Sequence, residues 1–240
     1  MKAVITFHSI DDSGSVISFP CDAFRSFIDA LARSELRCCE LDSLLDPGTD
    51  QGIAITFDDG MESVYSNALP IMREYGVKAH LFLTTGVVGK TNRWPGNPPL
   101  APEFKMLDWT QIEACHSGGF FIESHTHRHS DLRRLQRDGL RIECESSDAI
   151  IEQKIGRRPR YFAYPYGFHD ENTRNFMRNR YRGSFTTELR DLKAGDDPSA
   201  LPRLDSFYLK PAFLHRRLNS PLTRSYLRFR GLLRSIRGSQ

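Results

Sequence analysis

"IAITFDDG", residues 53–60, is an apolar run that ends in two adjacent carboxylates and a glycine. Ile53, Ile55 and Phe57, with Ala54 and Thr56 between them, suit a strand covered on both faces, as in a parallel sheet. Asp58 and Asp59 fall at its C-terminal end, where like charges repel unless something cationic stands against them. The arrangement recurs. Phe120–Glu123 reads as a strand followed by Ser124-His125-Thr126-His127-Arg128-His129, and Tyr161–Tyr164 as a strand followed by Pro165-Tyr166-Gly167. Three polar segments directly after three strands point to one rim of a βα-repeat fold, the rim that carries the active site in βα barrels.

The rest of the chain supports that reading. Lys2–Phe7, Arg37–Glu40, Lys78–Thr84 and Gly183–Thr187 are further predicted strands. Asp22–Arg33 is predicted helical from Phe24, Phe27, Ile28 and Leu31 at helical spacing. Glu62–Tyr75 is predicted as a helix kinked at Pro70 and capped by Gly76. A Thr110/Glu113 capping box should open a helix ending at Gly118-Gly119. Gly139–Ile155 and Glu171–Arg180 complete the set. Gly89–Glu103, rich in Pro, Gly and Asn, is predicted as a long loop at a site mouth. Repeated strand–helix alternation implies an α/β fold with a mostly parallel sheet, either a barrel or doubly wound. No glycine-rich phosphate loop follows a strand, so nucleotide binding has no support.

At 240 residues with 39% hydrophobic content, the chain can build one cored domain, with or without an appendage. Charge is unevenly spread. After Asp205 there is no acidic residue, whereas Lys210, Arg216, Arg217, Arg224, Arg228, Arg230, Arg234 and Arg237 all fall there. The body is therefore net acidic and the tail strongly basic, so an anionic partner is expected for the tail alone. Five cysteines without CxxC spacing fit reduced thiols rather than a disulfide framework. The opening MKAVITFHSIDD is too short and polar for a signal-peptide core, so a cytoplasmic protein, or one peripheral to the inner membrane face, is expected.

His125 and His129 lie four apart, a spacing that lets a helical turn or compact loop aim both imidazoles at one point. A carboxylate from another strand end would complete a two-histidine, one-carboxylate set with an open position, suited to catalytic zinc or non-haem iron. A lone HxxxH is more often a solvated loop. The Asp pair and the third strand-end cluster favour the metal.

"TFDDG", "SHTHRHSDL" and "FAYPYG", in this order and spacing, resemble the polysaccharide deacetylase family (the NodB-homology fold, carbohydrate esterase family 4) over about residues 1–205. The resemblance implies a distorted (β/α) barrel of the NodB-homology, glycoside hydrolase-deacetylase type over residues 1–206, followed by a basic, helical tail over 207–240. It implies a metal-dependent hydrolase that removes acetyl groups, chiefly N-acetyl, from a saccharide. Asp58 matches the family's catalytic base, and Asp59, His125 and His129 its metal ligands. Thr126 matches the hydroxyl residue that steadies the ligand loop, and Tyr166 the residue whose backbone N–H lies near the oxyanion. Zinc is the expected cofactor, with Co, Ni or Fe as alternatives. The general acid is expected to be His8, in "ITFHSID", as in a circularly permuted subset of the family; His215, in "FLHRR", is the competing candidate. Where many members have an arginine that pairs with the base, this chain has Ala163, and Arg203 in "LPRLD" could supply that charge or form a surface salt bridge. The usual Asp-Trp motif of the fourth segment is not evident.

The expected partner is an N-acetylated saccharide or a lipid-linked saccharide; nucleic acid is not expected. The alternatives are a non-catalytic, carbohydrate-binding descendant of the fold, a deacylase of a non-polysaccharide amide, or an iron oxygenase using the same triad. In the tail, Leu222, Tyr226, Leu227, Phe229, Leu232, Leu233 and Ile236 interleave with arginines. Such a segment could lie on an anionic membrane, pack on the barrel as a last helix, or be disordered.

Overall fold

The 53–57 run forms the centre of a strand, Gly52–Asp59, whose eight residues are all buried. In this computed structural model, which describes residues 1–97 and 101–237, it is one of nine strands. They are β1 (Lys2–Phe7), β2 (Ser9–Ile10), β3 (Ser18–Phe19), β4 (Gly52–Asp59), β5 (Ala79–Leu83), β6 (Phe120–Ser124), β7 (Tyr161–Ala163), β8 (Gly183–Phe185) and β9 (Leu204–Asp205). Eight α-helices accompany them: α1 (Cys21–Ala32), α2 (Leu41–Leu45), α3 (Leu69–Glu74), α4 (Trp109–Ser117), α5 (Arg137–Ile155), α6 (Glu171–Arg178), α7 (Ala212–His215) and α8 (Pro221–Arg237). Within the predicted loop 89–103, residues 98–100 lie outside the described residues, as do residues 238–240 of the predicted tail.

Seven strands form one sheet in the order β8-β7-β6-β5-β4-β1-β9, with every pairing parallel. β2 and β3 form a small separate ladder. The large sheet curls until its edges approach, and among the described residues a single bridge, Phe185 to Leu201, links them. The result is an incompletely closed, distorted (β/α) barrel. Parallel pairing puts the C-terminal ends of β1, β4, β6 and β7 on one rim, which gathers His8, Asp58-Asp59, His125–His129 and Tyr166 from distant parts of the chain. Beneath them, Phe7 touches Phe19, Phe24, Phe27 and Phe57 with ring centroids 5.2–5.6 Å apart.

The β6–β7 pairing is thin, with Ser124 opposite Phe162. A buried carboxylate fills the gap. Glu123 Oε2 accepts from the backbone N–H of Arg160 (2.7 Å) and of Tyr161 (2.9 Å), and Oε1 faces His80 Nδ1 at 3.3 Å. This ties together the two strands that carry the histidine loop and Tyr166. A buried carboxylate persists only with its acceptor sites filled in this way.

The structure corrects four local expectations. Arg37–Glu40 is not a strand; only Cys38 bridges to Ile53. The capping box is not Thr110/Glu113. Asp108 accepts from Gln111 N–H at 2.8 Å and Gln111 Oε1 accepts from Asp108 N–H at 3.0 Å, so α4 starts two residues earlier. The Glu62–Tyr75 helix forms over residues 63–74 with Gly76 at φ 64° beyond its end, but its irregularity lies before Pro70: Val64–Ala68 is a π-type turn that runs directly into α3. The strand predicted over Gly183–Thr187 stops at Phe185. The segment beyond residue 206 is largely helical, and Leu209, Leu214, Leu218 and Leu227 are buried in the main core. All five cysteines are free.

Candidate metal centre and active site

Asp59 ends β4 with a left-handed backbone, φ 70°. Four non-glycine residues among those described have positive φ: Asp59, Thr126, His129 and Tyr166. All four belong to the predicted site. Each such residue costs about 1–3 kcal/mol and persists only where its surroundings over-determine it. The strain turns the side chains at three strand ends toward one point. Thr126 Oγ1 accepts from His129 N–H at 2.9 Å and so closes the histidine loop. Gly86 lets a second segment clamp that loop. Its N–H donates to His127 C=O at 2.7 Å, and a Cβ at Gly86 would lie 2.4 Å from that oxygen. Glu143 Oε2 accepts from the N–H of His127 and of Arg128.

The donor atoms of Asp59, His125 and His129 lie within 4.8 Å of one another, and all three residues are buried. His125 Nε2 and His129 Nε2 are each 3.3 Å from Asp59 Oδ1. His125 Nδ1 is 2.7 Å from the Ala163 carbonyl, so it carries the proton and leaves a lone pair on Nε2. A lone pair facing a carboxylate oxygen is repulsive unless a proton or a cation lies between them. Asp59 Oδ1 also has no hydrogen-bond donor although it is buried. The donor set therefore fits a divalent cation, and two nitrogens with one carboxylate oxygen suit zinc and its neighbours in the first transition row.

The charge balance agrees. Burial pushes Asp59 up, but its contacts with His125 and His129 outweigh this and hold it well below the usual carboxylate range. The two histidines diverge. Burial lowers both, yet His125 is raised overall by Asp59, Asp58 and the Ala163 carbonyl, whereas His129 stays lowered.

Asp58 contributes no atom to that triad. Arg203 Nη1 and Nη2 donate to its Oδ1 and Oδ2, both at 2.7 Å, in a fork that leaves neither residue exposed beyond 4%. Burial would raise Asp58, but the Arg203 guanidinium, with His125 and His8, holds it below its ordinary value. Arg203 Nε donates to the Thr186 carbonyl at 3.2 Å, which fixes the plane of the fork.

A cavity of about 220 Å³ opens beside these groups, lined by His8, Asp58, Asp59, His125, His129, Tyr166, Trp94 and Asn92 among others. His8 is thus at the site. His215 is not among the cavity residues; its Nδ1 is 2.9 Å from the Leu209 carbonyl and its ring lies edge-on to Phe19. His127 turns away, with Nδ1 3.0 Å from Thr85 Oγ1.

Sequence reasoning missed Trp94. Its ring lies 4.2 Å from that of His129, and its Nε1 donates to the Tyr166 hydroxyl at 3.1 Å. The Tyr166 ring stands edge-on to His129 at 4.5 Å. His129 Nδ1 has no hydrogen-bond partner, so these two rings hold the imidazole where a carbonyl holds that of His125. The only signal in the sequence was a tryptophan inside a loop rich in Pro, Gly and Asn. Trp94→Ala is expected to weaken binding of a divalent cation about tenfold, as loss of support behind a ligand does, and Trp94→Phe to weaken it less. Competition of each variant with a chromophoric chelator measures this; unchanged affinity in Trp94→Ala would contradict the role.

A sequence model of the polysaccharide deacetylase family matches residues 46–180, more than half of the chain. The curated poly-beta-1,6-N-acetyl-D-glucosamine N-deacetylase of Staphylococcus epidermidis is 26% identical over 167 residues, covering 64% of this chain and 54% of that protein. The chain thus spans about half the length of the curated relatives it matches. Among solved structures, that of IcaB from Ammonifex degensii superposes with a TM-score of 0.72 at 25% identity, covering 89% of this chain and 96% of that one. The Streptococcus pyogenes deacetylase PplD in complex with acetate superposes at 0.71 with 19% identity, covering 85% and 91%, a likeness of fold. His8 and Arg203 both fall outside the 46–180 match, and it is the sheet topology that brings them to Asp58.

Proposed function

The chain belongs to the polysaccharide deacetylase family, and from that premise we propose that it hydrolyses the N-acetyl groups of an amino-sugar polymer. The observation that carries this reading is the division of labour between adjacent acids. Asp59 points into a three-donor set, while Asp58 is buried, ionised and held by Arg203 in the same cavity. A non-ligating base beside a metal triad suits hydrolysis. A divalent cation, zinc by its donor preferences, would supply Lewis acidity to the acetyl carbonyl oxygen and to water.

The chain's own residues do the rest. Asp58, oriented by the Arg203 fork, accepts the proton of the attacking water. Tyr166, at a left-handed turn on the cavity wall, offers its backbone N–H to the developing oxyanion. His8, which also lines the cavity, donates a proton to the departing amine. A cavity of about 220 Å³ takes an acetamido group rather than a whole oligosaccharide, so the sugar rings would lie across its mouth. The description of the S. epidermidis relative, a poly-beta-1,6-N-acetyl-D-glucosamine N-deacetylase, supports an N-acetylglucosamine polymer as the substrate.

The test is release of free amine and acetate, in equal amounts, from N-acetylglucosamine oligomers. Binding of the oligomers without acetate release in the presence of Zn²⁺, Co²⁺ or Ni²⁺ would turn the reading toward a carbohydrate-binding protein. His8 makes a sharper prediction. His8→Ala should slow amide hydrolysis by about 100-fold or more, but barely change hydrolysis of an aryl acetate, whose phenolate leaves unprotonated. Equal losses on both substrates would remove His8 as the acid.

A further inference from the structure

Helix α8 has two faces of opposite character. The inner one is narrow. Thr223 and Leu227 are buried, and Gly231 lies so close to the 187–190 segment that a Cβ would meet the Leu189 carbonyl at 2.3 Å. Arg230 lies over the Tyr208 ring at 5.0 Å and Arg234 reaches Asp205 at 3.6 Å. The helix is therefore seated in one orientation. The outer face carries Leu222, Phe229, Leu232 and Ile236, which are 64%, 58%, 60% and 64% exposed. Leu222, Phe229 and Ile236 are seven residues apart, so they form one stripe along the 17-residue helix, about 25 Å long. At 100° per residue, the exposed Arg228 flanks this stripe, whereas Arg230 and Arg234 turn toward the body of the protein.

We propose that α8 docks this face onto an anionic lipid surface, with the apolar stripe at the acyl boundary and Arg228 at the phosphates. Charge decides between the possible occupants. No carboxylate occurs in residues 206–240, so a second copy packed stripe to stripe would set arginine against arginine with no acid to pair. A lipid surface offers apolar depth and anionic phosphate together, and arginine stems snorkel from one to the other. The docking is independent of the reaction, but it bears on it. A groove of about 420 Å³ between residues 187–190 and α8 shares Thr187 with the catalytic cavity, so the helix lies close to the site.

The full chain should co-sediment with phosphatidylglycerol vesicles and not with phosphatidylcholine vesicles, and the binding should fall as salt rises. Arg228→Gln should weaken it about fivefold, the value of one basic residue near an anionic surface. Phe229→Ser/Leu232→Ser/Ile236→Ser should weaken it more than tenfold, with the melting temperature and the turnover of a soluble oligosaccharide unchanged. Equal binding to both vesicle types, or none to either, overturns the proposal. So does self-association in sedimentation velocity that the triple variant abolishes, which would make the stripe a contact between copies.

Discussion

Asp58→Asn is expected to lower kcat/KM on an N-acetylated oligosaccharide by about 10²–10⁴-fold, the range for loss of a positioned base, while bound metal stays at the wild-type level. The second half of that result matters most, because Asp58 is adjacent to a ligand and a ligand loss would mimic a base loss. Its oxygens are both taken by Arg203, so the asparagine leaves the donor triad intact. It also strands a buried guanidinium. Breaking one side of a buried ion pair costs about 3–5 kcal/mol, so Asp58→Asn and Arg203→Met should each show that order of loss in urea unfolding. The double variant should recover part of the stability and none of the activity. Full additivity of the two losses would mean that the pair does not act as a unit.

The pair also sets a pH dependence. Asp58 is depressed in the folded protein, so its contribution to stability is complete above the unfolded value of about 3.9 and is lost as pH falls through the folded value. Wild-type stability should therefore decline faster on acidification than that of the double variant.

The second large effect belongs to Asp59. Asp59→Ala should leave the protein folded, unable to retain a cation, and at least about 10³-fold slower, since several kcal/mol of charge stabilisation is removed. Stability should separate the two states. With excess metal, the wild type should gain melting temperature as a ligand that binds only the folded form requires, and Asp59→Ala should gain none. Without metal, Asp59 Oδ1 is buried and lacks a hydrogen-bond donor, while the His125 and His129 contacts still favour the anion, so the variant and the wild type should melt close together.

The parts of this site that are local in sequence were legible there. Asp58-Asp59 and His125…His129 each sit at the end of an apolar run, and a strand end fixes where its next residues point. Arg203 could be raised only as a question, because it lies 145 residues from its partner and its fork depends on how the sheet curls. Trp94 was less legible still, since a loop carries no periodicity from which to infer direction. The capping error has a plain cause: Asp108/Gln111 and Thr110/Glu113 both satisfy the spacing, and tertiary packing chose between them. In α8 the inner stripe is Thr223, Leu227 and Gly231, hardly apolar, so the sequence pattern could not reveal which side meets the barrel. It is the close approach at Gly231 that settles it.

The most direct measurement is a metal titration of chelated protein, following amine release from an N-acetylglucosamine oligomer and metal content together. The account predicts no activity in the stripped protein, full recovery at one cation per chain, and neither recovery nor retained metal in Asp59→Ala. Turnover by metal-free protein, or by Asp59→Ala at the wild-type rate, would contradict it.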